Sequence, residues 1–302
     1  MGMFNFTPAE RRTAKLRAAL IGASGCGKTL SALYLAYGIT GDWGRVALID
    51  TEHERARFYA SRSDLGTGAF LYAAMEAPYS PERYKAAVSE AAQLVGPDGC
   101  VIVDSFSHAW MAEGGVLDIK DNISARAGQN SYTAWNEAGK EQTSLVNAIL
   151  SVDCHTIVTM RSKMAYAMEL NERGKQQPVK VGLSPIQRDD VEYEFDIVLS
   201  IARDHTATAS KDVTWLDKYG AVITPDLGRQ LKAWLSEGKE PPRCADCGKL
   251  IQPIRTSAGV ISADEVAARA EKKYGVPLCL ECGKSRKEQK EHDDPGQQTP
   301  QA

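Results

Sequence analysis

Short apolar runs alternate with longer amphipathic stretches over most of the chain. The runs at 17–21, 45–50, 99–105 and 156–160 are apolar at nearly every position. That is the pattern of strands buried on both faces, not of strands with one wet face. A shorter run at 70–72 predicts one more strand. Helical spacing fills the gaps. Leu30, Leu33 and Tyr34 recur within 29–38, with Gly38 as the expected stop. Ser80, Pro81 and Arg83 supply an N-cap and a proline at the first helical position for a helix to about Leu94. A long helix is expected over about 132–152 and a last one over 227–234. Thr7, Pro8 and Glu10 read as a capping box opening a short helix before the first strand. Residues 114–130 read as irregular and Gly-rich, and 164–190 as a long polar loop. Glu192, Glu194 and Asp196 alternate with apolar residues, which predicts a half-exposed strand. The run 197–201 continues it, and 205–210 is its expected partner. Strands alternating with helices predict an α/β fold: a mostly parallel sheet covered on both faces, with ligands at the carboxyl ends of its strands.

The stretch Gly22-Ala23-Ser24-Gly25-Cys26-Gly27-Lys28-Thr29-Leu30 fits the phosphate-binding pattern G-x-x-x-x-G-K-[ST]. Its glycines let backbone N–H groups approach phosphate oxygens. Lys28 can reach the outer phosphates, and the Thr29 hydroxyl can ligate Mg²⁺. Cys26 reads as a small filler of the loop. A preceding strand and a following helix give the loop the context its chemistry needs, because the helix N-terminus presents a positive dipole end to the phosphates. ATP and Mg²⁺ are the expected ligands. Asp104 ends an apolar strand, the position from which a carboxylate supports Mg²⁺. Glu52 lies just past another strand on the same sheet edge and is the candidate base that activates water. Arg161 and Lys163 end a further strand there, where they could sense the γ-phosphate. Lys211 is a candidate to reach a neighbouring subunit's phosphate.

Two further features stand outside this core. Cys244 and Cys247 form one C-x-x-C pair, and Cys279 and Cys282 another. Four thiolates so spaced suit structural, tetrahedral Zn²⁺. Gly248 and Gly283 follow the pairs as turn residues. Ser262 and Glu265 cap a helix between them that Gly275 ends. The boundaries are then an ATPase domain over 1–237, a linker over 238–243 around Pro241-Pro242, a zinc module over 244–284, and a polar disordered tail over 285–302. The other feature is charge. Between 161 and 188, six basic residues face only Glu169 and Glu172. Lys163, Arg173, Lys175, Lys180 and Arg188 could neutralise phosphates, and Tyr166 could stack on a base.

The chain has 302 residues and a formal charge of −3, so it is not a globally basic nucleic-acid binder. No apolar run approaches a membrane span, and the first residues carry no signal-peptide pattern. No membrane contact is therefore expected, and a cytoplasmic location is.

Ile49-Asp50-Thr51-Glu52-His53 and the run Val101-Ile102-Val103-Asp104-Ser105, with a strand leading into a basic loop, resemble the RecA/RadA-type recombinase ATPases. More closely, Asp104-Ser105-Phe106-Ser107-His108-Ala109-Trp110, Thr159-Met160-Arg161-Ser162-Lys163, Gln187-Arg188-Asp189 and Asp204-His205-Thr206-Ala207 resemble phage- and prophage-encoded RecA-like ATPases. The resemblance covers about 15–235. It implies a RecA-like P-loop fold, Glu52 as the catalytic base, and the loop 161–188 as the contact for single-stranded DNA. It further implies a role in annealing or recombination in the host cytoplasm, with a single-strand-binding protein as a possible partner and a homo-oligomeric ring or filament as a possible assembly. The family's strand-final glutamine is replaced, with Met160-Arg161 near its place. Two other readings compete: a nucleotide-switched adaptor of replication or repair, and a P-loop kinase of small molecules.

Overall fold

The computed structural model describes residues 8–126, 130–170, 176–256 and 259–293. The chain divides into two compact units, one of residues 15–235 and one that joins the N-terminal residues up to 14 with those from 236 onward.

The larger unit is an α/β sandwich. In chain order it contains β1 (Arg17–Gly22), α1 (Lys28–Thr40), β2 (Val46–Asp50), β3 (Leu71–Ala74), α2 (Pro81–Val95), β4 (Cys100–Asp104), α3 (His108–Met111), α4 (Val116–Ser124) and α5 (Ser131–Ser151). It continues with β5 (His155–Leu170), β6 (Gln176–Pro185), β7 (Ile197–Ile201), β8 (Thr206–Lys211), β9 (Gly220–Val222) and α6 (Pro225–Leu235). The sheet order is β3-β2-β4-β5-β1-β7-β8-β9, and β6 pairs with β5. The path from β3 to β7 is parallel; β8, β9 and β6 run antiparallel to their neighbours. The mostly parallel α/β fold expected from the sequence is therefore present.

Alternate residues of each central strand feed two separate cores, as the period of two requires. Leu20, Leu48, Ile102, Ile157 and Leu199 pack with α1 and α6. Ala19, Ile49, Val103, Val158 and Val198 pack on the other face with Tyr84, Val88, Leu145 and Ile149. Burial on both faces is what makes the strand runs continuously apolar. The register sets the site: Gly22 lies beside Arg161, and Asp50 beside Asp104.

Several elements differ from the sequence reading. Gly38 does not end its helix. It is buried inside α1, where a Cβ would sit 2.1 Å from the Pro225 carbonyl and 2.8 Å from the Gly228 Cα, so its missing side chain lets α1 and α6 cross closely. The stop is Gly41, with φ of +68°. Residues 114–130 are not wholly irregular, because Val116–Ser124 is helical. The stretch 164–190 is not wholly a loop: β5 runs on past the sheet to Leu170 and pairs antiparallel with β6 as a long hairpin, while 186–190 are irregular. Residues 191–194 form a 3₁₀ turn instead of a strand, and Val191 and Phe195 are buried anchors on either side of the turn. The described residues 8–14 form no helix. Their backbone is taken by other bonds, Thr13 N donating to the Lys239 carbonyl and Lys239 N to that of Arg11 (3.2 and 3.0 Å).

The smaller unit therefore includes residues 8–14, and the stretch read as a linker is backbone-paired to them. It holds β10 (Ile254–Thr256), β11 (Gly259–Ile261), α7 (Ala263–Tyr274) and α8 (Leu280–Asp293). Ser262 caps α7 by accepting from Glu265 N, and Gly275 ends it at φ of +79°. Helix α8 takes in Gly283 and carries residues 285–293, so Gly283 is no turn and those residues are no tail. The rest of the expected tail lies outside the described residues. Buried apolar side chains are few here: Cys244, Ile251, Val266, Ala267 and Leu278.

Candidate active site

The loop between β1 and α1 wraps the N-terminus of α1. Gly27 has φ of +90°, and a Cβ there would lie 2.9 Å from His205 Nδ1, so only glycine fits. His205 Nδ1 donates to the Cys26 carbonyl (2.9 Å) and braces the loop from the β7–β8 turn. Cys26 is buried, as a filler should be. The Lys28 ammonium is buried and donates to two loop carbonyls, Gly22 O at 2.9 Å and Ala23 O at 2.8 Å. With no carboxylate against it, its charge is available to an anion above the loop.

The carboxylate of Asp104, at the end of β4, accepts from Thr29 Oγ1 and Thr159 Oγ1, both at 2.5 Å. Burial pushes its carboxyl above the usual range, and the two hydroxyl bonds pull against that. A hydroxyl and a carboxylate at this spacing form the hard oxygen set that Mg²⁺ takes. The residues therefore fit the ion expected of a P-loop.

Glu52 follows β2 on a turn that Asp50 holds. Asp50 accepts from Glu52 N (2.6 Å), Ala56 N (2.9 Å) and the Tyr72 hydroxyl (3.1 Å). Between Glu52 and Ala56, His53 and Glu54 have φ of +58° and +60°, a strained conformation for residues with side chains. Arg161, where β5 leaves the sheet, grips Glu52 with two N–H groups; the Nε to Oε1 bond is 2.7 Å. Burial acts to raise the Glu52 carboxyl, but the bonds and charge of Arg161 outweigh it and hold Glu52 below its ordinary value. Glu52 in turn raises Arg161. His108 is buried beside this pair, with Nδ1 at 2.7 Å from Thr51 Oγ1, and burial keeps its imidazole below the usual range.

These groups share one cleft of about 210 Å³. Ser24, Gly25, Gly27, Lys28 and Thr29 of the loop line it, together with Glu52, Asp104 and Arg161. The structure thus gathers the P-loop, Glu52, Asp104 and Arg161, as the sequence order on the sheet edge implies. Ala23, Cys26 and Leu30 belong to the loop without lining the cleft.

A protein-family model described as AAA domain matches residues 14–224. The chain belongs to that family of P-loop ATPases. No curated protein matches the chain. In this AAA domain the matched residues take in the P-loop, Glu52, Asp104 and Arg161, and the family's nucleotide-binding activity accounts for the cleft.

Sequence reasoning missed four contributors. Arg55 and Tyr59 also line the cleft, from a 3₁₀ turn whose sequence carries no periodic signal. Thr159 and His205 figure in the sequence only as strand residues and as parts of a family likeness, with no role at the site. Of the expected DNA contacts, the side chains of Lys163 and Arg188 are described. Lys163 is exposed at the hairpin base, and Arg188 is exposed beside α5, next to grooves bordered by Gln142, Thr143 and Asn147. Tyr166 and Lys180 pair across the hairpin backbone; their side chains, with Arg173 and Lys175, lie outside the described residues. Lys211 does not reach into the cleft, since its ammonium donates to the Tyr193 carbonyl.

The four cysteines converge in the smaller unit, with all Sγ atoms within 4.8 Å of one another. A tetrahedral zinc site needs sulfurs about 3.8 Å apart, from a Zn–S distance of about 2.3 Å, and Cys247 and Cys279 lie 3.9 Å apart. Burial raises the Cys244 thiol, but N–H groups of Cys279, Cys247 and Asp246 outweigh it and draw it down to about 6. The donor set therefore fits zinc. Among the described residues no helix is long and apolar enough to cross a membrane.

Proposed function

We propose that this chain is a RecA-like ATPase of the phage type that hydrolyses ATP while acting on single-stranded DNA in annealing or recombination. One observation carries the reading. Strand β5 continues from Arg161, which holds Glu52, directly into the basic hairpin it forms with β6. Nucleotide chemistry and the proposed DNA contact thus share one strand.

In this reading Lys28 and the loop N–H groups bind the phosphates, and Thr29 Oγ1 and Asp104 hold Mg²⁺, which offsets phosphate charge when bound. Glu52 accepts the proton of the attacking water. To do so one of its oxygens leaves Arg161, which then turns toward the phosphate released from the bond. Lys163, Tyr166, Arg173, Lys175, Lys180 and Arg188 are the proposed DNA contacts. Cys244, Cys247, Cys279 and Cys282 hold structural zinc in a module that docks DNA or a protein such as a single-strand-binding protein. Ring or filament assembly belongs to the same proposal, as does a cytoplasmic site of action.

The second reading, a nucleotide-switched adaptor, draws on the Glu52–Arg161 pair, which holds the base engaged in a resting state. ATP hydrolysis by zinc-loaded protein, with and without single-stranded DNA across a salt series, tests both. Stimulation that fades with salt is expected. Glu52→Gln should cut hydrolysis by about 10³-fold. Hydrolysis indifferent to DNA would remove the annealing reading, and negligible hydrolysis by the unaltered protein would favour the adaptor.

A further inference from the structure

Three cations line the nucleotide cleft, and two are engaged. Lys28 is held by loop carbonyls and Arg161 by Glu52. The third, Arg55, is exposed, and among the described residues its guanidinium makes no hydrogen bond or ion pair. Its position is nevertheless fixed from behind. Asp50 Oδ2 accepts from Ala56 N, the next backbone group (2.9 Å), and Glu54 precedes it at φ of +60°. The other arginine of the same turn is turned elsewhere: Arg57 pairs with Glu54 at 3.4 Å and lies 4.6 Å from the centroid of the Tyr72 ring. The backbone that aims Glu52 therefore also brings an arginine with an uncommitted guanidinium to the lining of the same cleft.

We propose that Arg55 contacts the terminal phosphate and sets the preference of this cleft for a nucleoside triphosphate over a diphosphate. The inference rests on the nucleotide reading of the cleft. The loop N–H groups serve the inner phosphates, common to both ligands, while Lys28 reaches the outer ones as a point charge. Arg55 lines the same cleft as Glu52 and Arg161 and follows Glu52 by three residues, the carboxylate that in this reading acts at the third phosphate. An arginine there offers two N–H groups to two phosphate oxygens, whereas a lysine offers a point charge.

The test compares the full, zinc-loaded chain with Arg55→Ala and Arg55→Lys, titrated with a non-hydrolysable ATP analogue and with ADP. Arg55→Ala should weaken the triphosphate analogue by about 10- to 100-fold, the worth of a lost charge-assisted contact, and leave ADP unchanged. Arg55→Lys should recover part of the loss. Arg55 is exposed, so both variants should melt with the parent protein. Equal weakening of both nucleotides, or of neither, would overturn the assignment while the nucleotide reading stands. Parent protein that binds neither nucleotide would overturn both.

Discussion

Asp50 does not itself line the cleft, yet its substitution should damage catalysis. Its buried carboxylate accepts three bonds, two of them from the backbone N–H groups of Glu52 and Ala56. Those two bonds close a turn in which His53 and Glu54 stand at positive φ, at a cost of about 1–2 kcal/mol each. Asp50→Asn keeps the shape but replaces one acceptor oxygen by an NH₂ group. One backbone N–H then faces a donor, and a bond worth about 1.5–3 kcal/mol is lost. That loss is comparable to the strain it opposes, so the turn should relax and Glu52 and Arg55 should lose their aim together. For a unit spanning residues 15–235, a loss of about 2 kcal/mol lowers the melting temperature by about 4–8 °C. ATP turnover should fall at least about tenfold, since misplacement by about 1 Å costs that much or more. Tyr72→Phe is the control. It removes only the third, neutral bond and should leave turnover near the parent rate. Thermal melts and steady-state hydrolysis decide the matter. A melting point within about 1 °C of the parent would refute the bond count, and a lowered melting point with full turnover would refute the positioning role.

Arg161→Met removes the strongest influence holding the Glu52 carboxyl down and leaves burial, which raises it, opposed by the charges of His108 and Lys28, so the acid limb of the kcat/KM profile should move to higher pH; a stationary limb would exclude Glu52 as the titrating base. His155 is buried with its folded pKa lowered to about 3, chiefly by burial, while the unfolded chain protonates near 6.5. The unfolded state thus binds the extra proton below pH 6.5, and stability should fall by up to about 1.4 kcal/mol per pH unit as the medium is acidified from there toward 3. His155→Gln, whose carbonyl can still accept from Leu16 N, should flatten that slope in denaturant titrations taken at a series of pH values. The purified chain should carry one zinc by atomic spectroscopy, and chelation or Cys247→Ser should unfold the smaller unit, whose few buried apolar residues cannot sustain it, while nucleotide binding in the larger unit persists. Gln187→Ala should weaken any DNA stimulation of hydrolysis more than it weakens hydrolysis without DNA, because Gln187 Nε2 donates to the Phe106 carbonyl just beyond Asp104 (3.1 Å).

The central strands were legible because burial on both faces leaves no polar position to confuse the pattern. Ser80, Pro81, Ser262 and Gly275 announced their helix ends for an equally local reason, since caps act within a single turn. The hairpin was not legible. Past Arg161, strand β5 has exposed Met164 and Met168 among polar residues, and its pairing depends on β6, with a register shift at Ala165/Tyr166 that breaks the alternation. Gly38 misled because a glycine in a tight helix crossing and a glycine at a helix end look alike until the crossing partner, Gly228, is known. Thr7–Glu10 carried correct capping chemistry, yet tertiary pairing with the segment around Lys239 won. In the cleft, motif spacing revealed Lys28, Thr29, Asp104 and Glu52. Arg55 and Tyr59 reach the same place only through a 3₁₀ turn, and His205 reaches the back of the P-loop from the turn between β7 and β8; neither leaves a periodic trace.

The register explains why these pieces can act together. Parallel pairing sets Gly22 level with Arg161 and Asp50 level with Asp104, so the strand ends bring the P-loop, Asp104 and the turn carrying Glu52 to one edge. Both feet of the hairpin are tied to the segment just after Asp104. Arg161 N donates to Ser107 Oγ (2.9 Å), Gln187 reaches the Phe106 carbonyl, and Phe106 N returns to the Thr159 carbonyl (2.8 Å). A force on the hairpin therefore meets short, hydrogen-bonded links to Asp104 and Glu52. Such links carry free energy in both directions. A ligand that draws Arg161 toward the hairpin frees Glu52 for water, and a γ-phosphate that draws Arg161 into the cleft shifts the hairpin's foot by the same contacts. If single-stranded nucleic acid binds the hairpin, the factor by which it tightens triphosphate binding must equal the factor by which triphosphate tightens its own.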